Sequence, residues 1–317
     1  MRAVGFTEHG GPEVLAVVEL PEPEPGPGEI RVRVHGAAVN PADTLLRSLP
    51  GAMVSTARPH LLGMDLAGVV DEAGPGAPFA AGDRVMSVAL PVRHAGGAYA
   101  EYVVVPAEWA VAVPAGIALH EAATVPMNAL TALAAIETME LKEGDIAGVT
   151  GAAGAFGGSF LQLAAARGIR TVADAAPQDE GPVRDLGATW TVPRGPEVAA
   201  RMREAVPDGV DALLDGALLG ADVLGAVRDG GAYAGLRKLG EPGTKPLPPA
   251  PRGISYRGFG VHDWFGRTDL MREIAAALGA GRLSPRVAGI VLPEQAPRAH
   301  AALEAGGTRG RYVLDFS

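Results

Sequence analysis

The N-terminal third of the chain carries short apolar runs broken by glycine and proline. From Glu29 to Val39 the segment begins with an alternation of polar and apolar positions, which is typical of a half-buried strand. Further β-branched runs follow, separated by turn residues, at Ala67–Val70, Arg84–Val88 and Tyr99–Val105. Evenly spaced short strands of this kind predict a small barrel or sandwich.

After Pro114, strand-like and helix-like segments alternate. We predict strands at Asp145–Thr150, Arg170–Asp174, Thr189–Val192, Asp211–Leu214 and Ala232–Leu236. We predict helices at Asn128–Met139, Ala155–Ala166, Pro182–Leu186, Pro196–Ala205 and Ala221–Arg228. Such alternation is the pattern of a parallel, doubly wound sheet.

From Ser255 onwards the pattern returns to a strand, a helix over Asp269–Leu278, a strand over Val287–Val291, a helix over Glu294–Ala305 and a last strand, Tyr312–Phe316. The first domain therefore resumes at the C-terminal end. We expect one domain made of residues 1–121 and 259–317, with an α/β domain of residues 122–258 inserted into it.

The segment VTGAAGAFGGSFLQLA, from Val149 to Ala164, combines an apolar strand, a turn of small residues and a helix. A helix N-terminus offers unpaired amides and the positive end of its dipole to a pyrophosphate. Gly154 would let the backbone approach the phosphates, and Gly157 would let the helix pack on the strand. Ala152 replaces the first glycine of GxGxxG, so the motif alone also fits a glycine-rich packing site; its βαβ context favours a dinucleotide-binding Rossmann unit.

Composition excludes several classes of function. The net charge is −9 and the basic residues are scattered, so the chain has no electrostatic footprint for nucleic acid. The absence of cysteine excludes disulfides, thiolate nucleophiles and cysteine-ligated zinc, and it fits the cytoplasm, where we expect the protein to reside. The uncharged run from Ile146 to Ala166 has the length of a membrane span, but its glycines and polar residues favour a buried strand, loop and helix.

Other catalytic motifs are incomplete. His120-Glu121 begins like the HExxH of zinc proteases, but Thr124 occupies the position of the second histidine. No tyrosine is followed by lysine four places later, and no Gly-x-Ser-x-Gly occurs, which argues against short-chain-reductase and hydrolase chemistry.

Motifs along nearly the whole chain resemble the quinone oxidoreductase (zeta-crystallin) branch of the medium-chain dehydrogenase/reductase superfamily. In chain order they are MRAVGF…GGPEVL, Val39-Asn40-Pro41-Ala42-Asp43, GMDLAGVV from Gly63, GDRV from Gly82, GAYAEY from Gly97, Ala122 through Ala132, the Gly-rich loop with Gln162, and GRYVL from Gly310. The resemblance implies a GroES-like β-rich barrel domain with the Rossmann domain inserted into it and a cleft between the two. Gly63-Met64-Asp65 replaces the Gly-His-Glu of the zinc alcohol dehydrogenases, which implies an enzyme without a metal site.

The resemblance also implies roles for individual residues. Asn40 and Asp43 would face the reacting centre from the barrel, although Asn40 also fits a simple turn before Pro41. The residues that would bind the cofactor are Thr131 near the nicotinamide ribose, Gly151, Gly154, Ala155, Phe156 and Gly157 along the pyrophosphate, Ala175 and Arg194 at the 2′-position, and Gly235, Leu236, Gly260 and Val261 as backbone walls beside the nicotinamide.

The cofactor's 2′-position should meet the end of the second Rossmann strand. The family alignment places Ala175 there and turns Asp174 to the other face, which leaves room for a 2′-phosphate. Arg194 is the nearest family-matched cation, whereas Asp179 and Glu180 would repel a phosphate. We expect NADPH as the cofactor, with NADH as the alternative.

We therefore expect an enzyme, an NAD(P)H-dependent oxidoreductase that reduces a quinone or the activated C=C bond of an enone or enoyl substrate. The alternative is a dehydrogenase-like scaffold without redox activity, serving as a binding protein or a non-redox tailoring enzyme. Because Leu45 to Leu62 contains no tyrosine, we expect Asn40 to hold the oxyanion and water to supply the proton. We expect a homodimer paired through the apolar strand Ile254–Val261, a small-molecule substrate, and no nucleic-acid or membrane partner.

Overall fold

The computed structural model describes residues 1–50, 58–93, 96–237, 244–258 and 260–317. Its contacts divide the chain into two compact units, one made of Met1–Met127 and Phe265–Ser317 and the other of Asn128–Trp264. The boundaries expected from the sequence fall after residue 121 and after residue 258, a few residues before these divisions.

The helices and strands follow in chain order. The N-terminal part contains β1 (Arg2–Phe6), β2 (Ala16–Glu19), β3 (Glu29–Ala38), α1 (Pro41–Ser48), β4 (His60–Leu61), β5 (Asp65–Ala73), β6 (Arg84–Val88), β7 (Tyr102–Pro106), β8 (Ala110–Ala112) and α2 (Leu119–Ala122). Next come α3 (Pro126–Thr138), β9 (Ile146–Thr150), α4 (Ala155–Ala166), β10 (Arg170–Ala175), α5 (Glu180–Asp185), β11 (Trp190–Pro193), α6 (Val198–Ala205), β12 (Val210–Asp215), β13 (Val227–Gly235) and β14 (Ser255–Tyr256). The C-terminal part contains α7 (Thr268–Gly279), β15 (Val287–Val291), α8 (Ala296–Glu304) and β16 (Arg311–Asp315).

The first unit is built on mostly antiparallel sheet. In the described part of the chain one sheet has the order β15-β16-β3-β5-β6-β8, with β7 also paired to β3, and a smaller sheet has the order β2-β1-β4. In β3, Ile30, Val32 and Val34 are fully buried while Arg33 is exposed, so one face of the strand packs into the core. This alternation confirms the β-rich domain and the strand predicted after Glu29.

The second unit contains six parallel strands in the order β11-β10-β9-β12-β13-β14. Numbered within the unit, this order is 3-2-1-4-5-6, the order of a Rossmann fold. The predicted doubly wound parallel sheet is therefore confirmed. The strand order reverses between β9 and β12, and ligands of open α/β sheets bind at the carboxyl ends of the strands at such a switch point.

The helix predicted over Ala221–Arg228 is wrong in type and extent. A 3₁₀ helix covers Gly220–Ala226, and Val227 already belongs to β13. Gly220, directly before the predicted helix, has a φ of +61°, Gly225 lies within it, and Val227 pairs with Val210 of β12. The glycines and the β-branched residue outweigh the helical pattern of the other positions.

The strand predicted over Ile254–Val261 is shorter than expected. It is limited to β14, and the Arg257 side chain turns to the end of α3, where Nη1 donates to the Thr138 carbonyl oxygen at 2.7 Å. Gly258 and Gly260 follow, and glycine weakens a strand. Residue 259 lies outside the described residues.

No helix in the described ranges is long and apolar enough to cross a membrane. The uncharged run from Ile146 to Ala166 forms β9, a turn and α4. It lacks charge because nearly all of α4 is buried.

Candidate functional site

The Gly-rich loop joins β9 to α4 at the switch point of the second unit. Gly151 has a φ of +68°, a left-handed conformation that glycine adopts at little cost, and Gly154 is the N-cap of α4. A Cβ atom at Gly157 would lie 2.6 Å from the Cα atom of Ala152 and 2.6 Å from the Gly151 carbonyl oxygen. Position 157 therefore has no room for a side chain, because the helix packs directly on the end of the strand.

The start of α4 fits a phosphate group. No side chain caps the helix at Gly154. Because the first amides of a helix have no carbonyl partner one turn earlier, those of Ala155, Phe156 and Gly157 need an acceptor from outside the helix. A pyrophosphate would supply such acceptors at the positive end of the helix dipole.

At the carboxyl end of β10 the structure brings Ala175 and Arg194 together. The Arg194 amide donates to the Ala175 carbonyl oxygen at 2.9 Å, and Arg194 is exposed directly after β11. Asp174 was expected to face away from the cofactor; it is buried, and its Oδ1 accepts the amide of Ala152 in the Gly-rich loop at 3.1 Å. Burial raises the pKa of Asp174, against the amides of Ala152 and Gly151 and the charge of Arg194, which lower it. Asp174, at the end of β10, therefore holds the backbone of the Gly-rich loop in place through hydrogen bonding.

Gly235 and Leu236 also lie at the carboxyl ends of the parallel strands, where the switch point is. Gly235 ends β13 in register with Asp215 of β12, and the Leu236 amide lies 3.4 Å from the Asp215 carbonyl oxygen. Thr131 belongs to the same unit and is half-buried in α3.

Gly260 and Val261 are not carried to this edge by the sheet, because the strand pairing ends at Tyr256. Val261 instead begins a 3₁₀ helix that ends at Trp264. The Gly260 carbonyl oxygen accepts the amide of Asp263 at 3.0 Å.

In the first unit, Asn40 and Asp43 are buried at the start of α1. The Asp43 carboxylate accepts the Asn40 amide and the Gly63 amide, each at 2.8 Å. The Asn40 side chain is engaged at both ends, since Nδ2 donates to Asp65 Oδ2 at 2.8 Å and Oδ1 accepts from Arg311 Nε at 2.9 Å. The expected oxyanion role needs a donor that faces outward, and the structure turns this amide into a buried cluster instead.

Asp43, Asp65 and Arg311 form the charged part of this cluster. Burial raises the pKa of Asp43 to about 6 and that of Asp65 to about 7, while hydrogen bonds from Asn40 and the charge of Arg311 lower both. Burial lowers the pKa of Arg311 to about 10, so its guanidinium stays charged at neutral pH. The cation compensates carboxylates that would otherwise be costly to bury.

A row of buried side chains continues from Asp43. Arg47 Nη1 lies 3.1 Å from His300 Nδ1, and His300 Nε2 lies 3.1 Å from the Tyr99 hydroxyl oxygen. Because a guanidinium only donates, Nδ1 accepts, the ring is neutral and Nε2–H donates to Tyr99. Burial and the charge of Arg47 accordingly lower the pKa of His300 to about 3. The Tyr99 hydroxyl is then left to donate to Asp43, 3.3 Å away.

The row from Arg47 to Asp43 does not relay protons, because arginine does not give up a proton in proteins. Sequence reasoning missed His300, which lies 253 residues from Arg47 and has no local motif. Tyr99 stands in the GAYAEY motif, which was the available signal.

Within the described residues, no group of three or more His, Cys, Asp or Glu side chains could hold a metal ion. Met64, which aligns with the zinc-ligand histidine of the alcohol dehydrogenases, is buried.

Two family models match the chain. Residues 26–115 match the alcohol dehydrogenase GroES-like domain, and residues 186–314 match the family described as zinc-binding dehydrogenase. A dehydrogenase of Aspergillus niger is 31% identical over 271 residues, 78% of this chain and 78% of that protein. The quinone oxidoreductase of Sus scrofa is 26% identical over 330 residues, 99% of this chain and 97% of that protein. A trans-enoyl reductase of Petromyces alliaceus is 28% identical over 245 residues, 70% of this chain and 66% of that protein.

Solved structures match over the whole chain. An NAD-dependent alcohol dehydrogenase superposes with a TM-score of 0.86 at 30% identity and covers 99% of both chains. A mycobacterial protein complexed with NADPH has a TM-score of 0.84 at 28% identity, with 99% of this chain and 100% of that chain covered. Sequence, strand order and these full-length matches together establish that the chain belongs to the medium-chain dehydrogenase/reductase superfamily and is a quinone oxidoreductase-like member of it.

Proposed function

We propose that this oxidoreductase reduces a quinone or the activated C=C bond of an enone or enoyl compound, with NAD(P)H as the cofactor and without a metal ion. The start of α4 at the switch point, where Gly157 has no room for a side chain because the helix packs against Gly151 and Ala152 of the Gly-rich loop, carries this proposal. When bound, the nicotinamide cofactor supplies a hydride. The residues Gly151, Gly154, Ala155, Phe156 and Gly157 would hold its pyrophosphate.

The substrate class is supported by relatives named quinone oxidoreductase and trans-enoyl reductase. Both names describe the reduction of an electron-poor conjugated system, in which hydride adds to one atom and an oxyanion or enolate then takes a proton. The cysteine-free sequence and the buried Met64 support a reaction without zinc.

Asn40 and Asp43 act in this proposal as positioning residues. Their side chains hold the start of α1 against Asp65, Gly63 and Arg311. Asn40 Nδ2 also lies 3.5 Å from the Ala38 carbonyl oxygen, so both of its N–H groups face acceptors within the protein. Water then supplies the proton, since the row that reaches Asp43 ends in Arg47.

We assign NADPH as the preferred cofactor. Ala175 leaves space beside the end of β10, and Arg194 is exposed and joined to it through the backbone, which suits a 2′-phosphate. The neighbouring Asp174 carboxylate would repel the negatively charged 2′-phosphate of NADPH, so the preference for NADPH over NADH is modest. Thr131, Gly235 and Leu236 complete the proposed cofactor set; Gly260 and Val261, which the sheet does not carry to this edge, belong to it on the family resemblance alone.

A homodimer remains part of the proposal. The short strand β14 forms one edge of the parallel sheet, and an uncovered edge invites pairing with a second copy. Light scattering at micromolar concentration is expected to give the mass of two chains, and the mass of one chain would contradict this.

Fluorescence titration with NADPH and NADH, followed by a panel of quinones and enones with optical detection of cofactor oxidation, tests the function. We expect saturable binding of both cofactors, turnover with at least one class of acceptor, and activity that survives exhaustive chelation. A protein that binds neither cofactor would be the redox-inactive scaffold. Turnover that requires a tightly bound zinc ion would overturn the metal-independent mechanism.

A further inference from the structure

Asp215 is a fully buried carboxylate at the last position of β12, directly at the switch point of the second unit. It accepts hydrogen bonds from the Thr150 hydroxyl at 2.6 Å, the Gly220 amide at 2.7 Å and the Tyr233 hydroxyl at 2.9 Å. A carboxylate without a cation is costly to bury unless donors surround it. The donors come from three different segments of the chain, so Asp215 ties those segments together.

Thr150 makes this link rigid. Its hydroxyl donates to Asp215 and accepts the amide of Ala217 at 3.1 Å, so both of its hydrogen-bonding functions join the end of β9 to the loop after β12. The next residue is Gly151, and a Cβ atom there would lie 3.2 Å from the Gly216 carbonyl carbon. The two loops that leave β9 and β12 are therefore held in close approach.

The link lies at the switch point, where open α/β sheets bind dinucleotides. In the parallel register Asp215 lies opposite Thr150 on one side and opposite Gly235 on the other. The Gly-rich loop starts after Thr150, and the backbone wall assigned to the nicotinamide starts at Gly235. A nicotinamide dinucleotide would have to contact both segments at once, because it crosses the sheet edge at the switch point.

We propose that Asp215 is a positioning residue for the cofactor: it sets the spacing between the Gly-rich loop and the end of β13, with Thr150 and Tyr233 as its partners. The inference rests on the proposed nicotinamide-dependent function and adds a residue that no motif of the sequence singled out. Asp215 would not touch the cofactor itself; it would act through the Gly-rich loop, which is assigned to the pyrophosphate, and the end of β13, which is assigned to the nicotinamide.

The carboxylate is needed for its two equivalent acceptors. Oδ1 receives Thr150, and Oδ2 receives both Gly220 and Tyr233. In Asp215→Asn one of these oxygens becomes an NH2 group that faces a donor, so at least one donor of a buried network is left unpaired.

The test measures the Kd of NADPH by fluorescence for full-length Asp215→Asn, with KM for NADPH and kcat at saturating NADPH measured alongside. We expect Kd and KM to rise about tenfold or more while kcat changes far less, because a lost hydrogen bond to a charged group acts here on binding alone. Thr150→Val should raise the Kd of NADPH similarly, and Thr150→Ser, which keeps the hydroxyl, should have a Kd close to that of the wild-type protein.

Asp211→Asn is the matched control. Asp211 lies on the same strand at its other end, where Oδ2 accepts the Ile146 amide of β9 at 2.8 Å, so it joins the same two strands away from the switch point. Its variant should keep the Kd of NADPH within about twofold. A folded Asp215→Asn protein with wild-type Kd, or equal weakening by Asp211→Asn, would overturn the proposal.

If Asp215→Asn does not fold, the Thr150→Val and Thr150→Ser pair carries the test. Equal Kd values for Thr150→Val and Thr150→Ser would then reject the link. Failure of the wild-type protein to bind NADPH or NADH is a separate result, which would reject the proposed function itself.

Discussion

The two units bury carboxylates in different ways. In the first unit Asp43 and Asp65 are buried near the guanidinium of Arg311, whose charge compensates theirs. Arg311 also donates a hydrogen bond to Asn40, which in turn donates to Asp65. In the second unit Asp174 and Asp215 are held by backbone amides and hydroxyl groups. A carboxylate paired with arginine fixes side chains across the fold, whereas one held by amides fixes the backbone of loops. The second arrangement shapes the loops that we propose as the dinucleotide site.

The largest expected effect is at the start of α4, directly after the loop that Asp174 and Asp215 support. Gly157→Leu should abolish measurable NADPH binding, because even a Cβ atom at this position meets Ala152 and Gly151 at 2.6 Å. Fluorescence titration measures the loss, and circular dichroism checks the fold. Gly181→Leu is the control, since a Cβ atom there meets nothing within 4 Å. A folded Gly157→Leu protein that binds NADPH normally would place the dinucleotide elsewhere.

Removal of the Arg311 guanidinium tests how the first unit buries its carboxylates. Arg311→Met should lower the free energy of unfolding by about 3–5 kcal/mol near neutral pH, the usual cost of leaving a buried charge unpaired. Denaturant unfolding measures it. Arg2→Met is the control, because Arg2 pairs with Glu101 at the surface and its loss should cost much less.

The same variant carries a pH dependence. Asp43 and Asp65 have folded pKa values of about 6 and about 7 against an ordinary value of 3.8, so the folded state binds their protons more tightly. The stability that they contribute is therefore greatest at low pH and falls as pH rises from about 4 through about 7. Without Arg311 the ionised pair is uncompensated, so the loss in Arg311→Met should be larger near pH 8 than near pH 5. An equal loss at both pH values would show that the carboxylates do not titrate in this range.

A smaller effect is expected at the cofactor's 2′-position. Arg194→Gln should reduce the ratio of kcat/KM for NADPH over NADH by about tenfold or more, because a charge-assisted contact to phosphate is worth about 1.5–3 kcal/mol. Arg184→Gln, another exposed arginine of the same unit, should leave the ratio unchanged. If Arg194→Gln also leaves it unchanged, another group reads the phosphate.

The sequence predicts best what neighbouring residues determine. The helix Ala155–Ala166 has the predicted bounds, because a strand, small residues and an apolar helix are contiguous in the chain. The partners of Asn40 and Asp215 could not be predicted in this way, since Arg311 lies 271 residues from Asn40 and Thr150 lies 65 residues from Asp215. Those contacts depend on strand register, which no local pattern records.

Two of the predicted elements failed for a common physical reason. At residues 221–228 and 254–261 the apolar pattern suggested longer elements than the structure has, and glycines interrupt both. The oxyanion role of Asn40 failed to fit because the sequence does not show that both ends of its amide are engaged.

Transfer of deuterium from the cofactor tests the central claim most directly. The measurement uses NADPH labelled in turn on each face of the nicotinamide C4 atom, an α,β-unsaturated carbonyl acceptor, a chelator, and mass spectrometry of the product. The account predicts one deuterium per turnover on the β-carbon from one labelled face only, with the hydrogen on the α-carbon coming from water. A product whose two new hydrogens both come from solvent, or no product from any acceptor tested, would contradict it.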